Sequence, residues 1–205
     1  MSFNIKTEAI CNSMITRLII IALLFFAPLI VAGQTTLYPN GRELYEINGY
    51  PIPSGNPDML FYLQRSLDLN SVIYEAKYMN GKGGHRKLDV DDPVDIYWLI
   101  HDKEHSVKPL SGLQKLGYGV RSENVENEVV KIKLVAYREM PILLKPSLKE
   151  NKYQAHVSVE GKDILLAKVF INIDGGTKLK PNVTFIEITG TESQTGKKIV
   201  HRFNP

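Results

Sequence analysis

A chain of 205 residues with 43% hydrophobic and 23% charged side chains has the make-up of one globular domain, or at most two small ones. The apolar content excludes a disordered tail, 15 Gly and 11 Pro exclude a collagenous or low-complexity chain, and a single cysteine excludes a disulfide scaffold. With 25 Lys and Arg against 22 Asp and Glu, a net charge of +3, the chain lacks the concentrated basic charge of a dedicated nucleic-acid binder, and no nucleic-acid partner is expected.

Residues 1–33 read as a signal peptide. An uninterrupted apolar run, LIIIALLFFAPLIV at 18–31, follows Lys6 and Arg17, which is the charged-then-apolar order of a secretory signal. Val31, Ala32 and Gly33 close it and place cleavage before Gln34. A start at Met14 instead of Met1 makes a more compact signal, with Arg17 directly before the run. The alternative is an uncleaved anchor, but 14 residues at about 1.5 Å each reach only roughly 21 Å, short of the ~30 Å hydrocarbon core. Pro28 weakens such a helix further, and the only cysteine, Cys11, precedes the run where a lipid anchor needs it to follow. The chain is therefore expected to be periplasmic or extracellular, with no stable membrane span after cleavage. The 172 residues left contain 23 basic and 21 acidic side chains and no cysteine. Their stability has to come from burial and not from disulfides.

Residues 34–58 are an extended lead-in punctuated by proline and glycine, as in GYPIPSGNP at 49–57. A single β domain is expected from 59 to 205. Residues 59–65 (MLFYLQR) and 71–78 (SVIYEAKY) form a hairpin across a five-residue connection, and 94–101 (VDIYWLIH) is a third strand. The spacing of Leu110, Leu113 and Leu116 predicts one short helix over 109–116, ended by Gly117. Beyond it, alternation predicts strand after strand. Val130, Ile132, Leu134 and Ala136 share one inner face, and Tyr153, Ala155, Val157 and Val159 another. Leu165, Ala167, Val169, Ile171 and Ile173 supply a third, followed by 184–188 and 199–203. Eight or nine antiparallel strands with one short helix make an all-β domain, either a meander barrel or a two-sheet sandwich.

Four stretches carry a family resemblance: LFYLQRSLDLNSVIYEAKY from Leu60, DPVDIYWLIH from Asp92, LSGLQKLGYGV from Leu110 and FIEITGTESQTGKK from Phe185. In these the chain resembles the secreted bacterial proteins grouped as domain of unknown function family 4833. The resemblance implies export and a single domain, and it supplies no activity, ligand or catalytic residue.

The sharpest local motif is His101, Glu104 and His105, which fits the H-x-x-E-H pattern of zinc hydrolases: two imidazole ligands and a carboxylate general base. That chemistry needs both histidines on one helical face, whereas the motif leaves a strand signal and meets Pro109 four residues on. A charged turn is the preferred reading, and no metal or cofactor is expected. Asp89, Asp91, Asp92 and Asp95 lack the glycine and terminal glutamate of a calcium loop. The glycine-rich segment 81–86 (GKGGHR) lacks Walker spacing, and Asn182, Val183 and Thr184 are an incidental glycosylation pattern. No G-x-S-x-G is present, and His156 is placed on an outward face, so no catalytic residue is expected. There remain the aromatic side chains of the first strands and the polar groups among them. If the sheet closes into a barrel, Tyr62, Arg65, Tyr74, Glu75, Tyr97, Trp98 and Tyr118 could line a ligand pocket in its lumen; otherwise the aromatics are core. The expectation is an exported, non-catalytic domain that binds a small ligand or an envelope partner, with zinc-dependent hydrolysis as the alternative.

Overall fold

The computed structural model describes residues 36–37, 43–47, 49–79, 86–101, 106–126, 128–177 and 180–205. The expected signal peptide, the glycines of segment 81–85 and Glu104 and His105 of the histidine motif lie outside the described residues. The strands are β1 (Thr36–Leu37), β2 (Glu43–Ile47), β3 (Tyr50–Ile52), β4 (Met59–Arg65), β5 (Ser71–Ala76), β6 (Tyr78–Met79), β7 (Lys87–Leu88) and β8 (Val94–Leu99). Then come β9 (Val107–Pro109), the helix α1 (Gly112–Tyr118), β10 (Val120–Asn124), β11 (Val130–Leu134), β12 (Pro141–Ser147) and β13 (Lys152–Val159). The chain ends with β14 (Lys162–Gly176), β15 (Pro181–Glu192) and β16 (Lys198–Phe203). Among the described residues the protein is all-β with one short helix, and none of its helices is long and apolar enough to cross a membrane.

An 11-stranded sheet dominates, accompanied by small sheets of β1–β3 and of β6–β7. From β10 to β16 it is an antiparallel meander in chain order. On one edge β14 pairs with β15 along its length; its other edge pairs with β13 over residues 162–165 and then with β4 over 168–171. Among the described residues the pairing of β14 with β4 is the one parallel contact in this sheet, and it brings in the antiparallel series β4-β5-β8-β9. The sheet thus branches. Strands β9, β10 and β16 each have a single described partner, so it curls without closing.

Curling packs the inner faces of the two branches against each other. Leu63, Tyr74 and Trp98 from one branch share a core with Ile132, Leu144, Val157 and Leu166 from the other. Phe61 stacks on Tyr74 with ring centroids 4.3 Å apart, a contact worth about 0.5–1.5 kcal/mol beyond the area it buries.

Three departures from the sequence pattern have local causes. On β14 the inner residues are Ile164, Leu166, Val169 and Ile171, not Leu165 and Ala167, because a bulge at Ala167 shifts the alternation by one. Strand β12 is paired on both sides despite two prolines. Pro141 is its first residue; Pro146 lies past the end of the pairing with β11, and on the β13 side its register partner Tyr153 gives its N–H to the Tyr78 hydroxyl instead of to β12. The helix starts and ends later than its leucine spacing suggests. Ser111 is the N-cap, in a reciprocal capping box with Gln114, and Gly119 is the C-cap, its N–H donating to Lys115 O. Only Leu110, which precedes the helix, is buried; Leu113 and Leu116 are 65% and 66% exposed.

Gly190 sits opposite Leu166, beside the bulge. A Cβ there would lie 2.3 Å from Leu165 O and 2.6 Å from Ile164 Cγ2. Gly190→Ala is expected to cost about 1–3 kcal/mol as overpacking against backbone, read as a lower urea midpoint. Gly112→Ala, where a Cβ meets nothing within 4 Å, should leave the midpoint unchanged or raise it.

Candidate functional site

The seven side chains expected in one lumen divide between two faces of the β4-β5-β8 sheet, because successive strand residues point to opposite sides. Arg65, Tyr74 and Trp98 face the main core, where Tyr118 from the end of α1 joins them. Tyr62, Glu75 and Tyr97 face the other way, onto residues of the lead-in. There is no common lumen for the seven.

On the core face the Arg65 guanidinium lies 5.0 Å from the Trp98 ring centre and 5.6 Å from that of Tyr118. Its Nη1 donates to the Tyr118 hydroxyl at 2.7 Å, and Nη2 pairs with Asp68 of the β4–β5 connection. Trp98 and Tyr118 meet edge to face at 5.2 Å. Tyr74, fully buried, donates its hydroxyl to Tyr118 O at 2.9 Å, so the helix end is held by both backbone and side chain. Burial pushes the Tyr118 hydroxyl above its ordinary pKa, with the neighbouring Arg65 charge pulling the other way. Arg65 Nε and Trp98 Nε1 are buried without a hydrogen-bond partner among the described residues. Leu67 (59% exposed) and Leu69 (40%) flank Asp68, and Leu113 and Leu116 lie on the helix that Tyr118 ends.

On the opposite face the polar groups are used within the fold. Asn56 Nδ2 donates to Glu75 Oε2 at 2.7 Å and to the Tyr97 hydroxyl at 3.0 Å, and that hydroxyl donates to Glu75 at 2.7 Å. The buried Gln64 ties Pro51 O of the lead-in to the Ser71 hydroxyl. Tyr62 packs with Ile73 and Leu99 beneath Ile52, and its hydroxyl pKa is pushed up to about 12 by burial.

His101 follows β8, its N–H bonded to Asn70 Oδ1, and Ile100 N–H donates to Ser106 O, so strand pairing flanks the motif on both sides. Asp89 accepts from the N–H groups of Asp91 and Asp92, and Asp92 pairs with Lys77, which describes a turn. Among the described residues no group of three or more His, Cys, Asp or Glu could hold a metal ion. Arg86 is engaged internally, forked onto Asp58 and stacked 3.8 Å from the Tyr78 ring centre.

Tertiary structure also assembles groups that spacing did not reveal. His156, Asp163 and Ser193 meet, with Asp163 Oδ2 at 3.0 Å and the Ser193 hydroxyl at 3.4 Å from the same atom, His156 Nδ1. A catalytic triad needs the carboxylate on one ring nitrogen and the nucleophile on the other, so this is a structural cluster joined by Lys145. Two surface clefts contain none of the seven expected residues. One, of about 250 Å³, has Tyr137, Met140, Ile188 and Phe203 in its wall with Glu139, Glu160 and His201. The second, of about 290 Å³, lies on β10 and β11. The strict alternation of Lys131 and Lys133 with buried residues was the sequence signal for the second; the first draws on four separate segments and had none.

Burial holds the His156 imidazole below its ordinary value of 6.5, opposed by the Asp163 charge. The unfolded chain therefore takes up the proton first as pH falls. This contribution to stability is complete above about pH 6.5 and is lost as pH drops toward the folded value. His156→Gln should flatten the fall in Tm below pH 6.5 relative to the parent chain, and an unchanged slope would show that another group governs it.

No curated protein and no solved structure matches the chain. The family model for Domain of unknown function (DUF4833) matches residues 61–202, a span that contains Arg65, Trp98, Tyr118 and nearly all of both clefts. The chain belongs to the family Domain of unknown function (DUF4833).

Proposed function

We propose that the chain is an exported, non-catalytic binding domain that docks a cell-envelope protein through the surface around α1. The observation that carries this reading is the helix itself: no residue of α1 is buried, and Leu113 and Leu116, one turn apart, are turned to solvent. An amphipathic helix ordinarily turns its leucines to its own core; exposed large side chains clustered on a rigid platform are characteristic of interaction surfaces. At the end of the same helix Arg65, Trp98 and Tyr118 meet, and they are of the residue types that dominate binding hot spots. Ser111, Gln114 and Asp68 add a polar rim, which suits a protein surface of mixed character. The non-catalytic part is supported by the wrong-nitrogen geometry at His156. A small-molecule ligand is the second reading, supported by the cleft that the paired rings of Tyr137 and Phe203 line.

A photo-crosslinking residue at position 116 in the source cell should give a defined adduct with one envelope protein. The purified partner should then bind the domain directly, and Leu113→Glu with Leu116→Glu should weaken binding by about tenfold or more without lowering Tm, roughly 1.4 kcal/mol or more. Equal affinity of parent and double variant overturns the docking surface. Export has its own test: the intact mass of the secreted protein should correspond to a chain beginning at Gln34, and a mass retaining residues 1–33 contradicts cleavage there.

A further inference from the structure

The second cleft has a charge pattern at odds with ordinary sheet design. Strands β10 and β11 pair with Arg121 opposite Lys133 and Glu123 opposite Lys131. Because Val130, Ile132 and Leu134 point inward, both lysines and their partners stand on the outer face. Cross-strand neighbours of like charge destabilise a sheet, whereas opposite charges support it. The Glu123–Lys131 pair, at 2.7 Å, obeys that rule and uses the one carboxylate of the cleft. Arg121 and Lys133 break it, and Arg138, from the turn before β12, adds a third cation to the same cleft. None of these three makes an ion pair among the described residues, and the one carboxylate whose pKa the Lys133 charge helps to lower, Glu123, is already paired with Lys131. Repulsion of this kind is relieved when an anion sits between the charges.

We infer that this cleft binds a multiply charged oxyanion of the phosphate class. Two guanidinium groups can fork onto neighbouring oxygens while Lys133 supplies a point charge, the combination that suits a run of phosphates more than a lone carboxylate. Its volume of about 290 Å³ accommodates two or three linked phosphate groups with their water. β10 is an edge strand with no described partner beyond it, so a longer anionic chain or a lipid headgroup can enter from the side. The site is independent of the surface around α1. The bland account of the same charges is that they guard an open sheet edge against aggregation.

The test uses inorganic tripolyphosphate as probe, by titration calorimetry on the chain from Gln34 onward. The expected result is one site whose affinity falls as salt rises. Arg121→Gln with Lys133→Gln should weaken it by about tenfold or more. Lys149→Gln with Lys180→Gln, which removes the same charge from exposed positions elsewhere, should leave it within about twofold. Glu123→Gln frees Lys131 and should tighten binding, which keeps the site testable if the double variant fails to fold. A separate arm with vesicles of phosphatidylcholine, with and without phosphatidylglycerol, distinguishes the sources. Binding only to the anionic vesicles, competed by tripolyphosphate, identifies a lipid headgroup; binding of tripolyphosphate without vesicle binding identifies a soluble or polymeric phosphate. No binding in either arm, or equal weakening by the two double variants, overturns the inference and leaves edge protection as the role of these charges.

Discussion

The change of partner along one edge of β14 is the constraint on which both branches of the domain depend. Over its 15 residues this strand keeps β15 on one side while the other side passes from β13 to β4. A regular strand would carry the same set of side chains into both branches. The extra residue at Ala167 moves the inward positions from 164 and 166 to 169 and 171, so each half of β14 presents its apolar side to the shared core. The bulge in turn requires Gly190 across the ladder, where β14 backbone occupies the space of a side chain.

From this branch point follows the division of the aromatic residues. The β4-β5-β8 layer is held by β14 with one face against the meander and the other under the lead-in. Chemistry that resembles one pocket in the linear sequence is therefore separated by the thickness of a sheet. Glu75, Tyr97 and Asn56 satisfy one another on the outer side, while Arg65 fixes the end of α1 to Trp98 on the inner side. The polar groups of both clusters are largely used in holding segments together, whereas the leucines of α1 and the two clefts lie at the surface.

The architecture was legible wherever alternation ran undisturbed. Strand β4 spans the residues its pattern predicts, and the inner faces of β11 and β13 are Val130, Ile132 and Leu134, and Tyr153, Ala155, Val157 and Val159. It was illegible wherever a local signal was outweighed by context. Two prolines concealed β12, a charged sequence concealed β10, and leucines at helical spacing suggested burial for side chains that the fold leaves in solvent. The candidate sites were less legible still, because spacing along a strand does not say which of its two faces finds a partner. Arg65, Tyr74, Trp98 and Tyr118 come together on one face of the sheet, and Tyr62, Glu75 and Tyr97 on the other, a division that residue type does not encode.

By itself the sequence determined the β character, the family and the absence of cysteine from the chain after residue 33, because composition, recurring stretches and period-two patterning are local properties. Tertiary structure alone decided three things: the parallel docking of β4 on β14, the bulge that reverses the faces of that strand, and the meeting of His156, Asp163 and Ser193 on one nitrogen. Each of these depends on contacts between residues distant in the chain, or on packing at a branch, and such contacts leave no periodic trace in the amino-acid order.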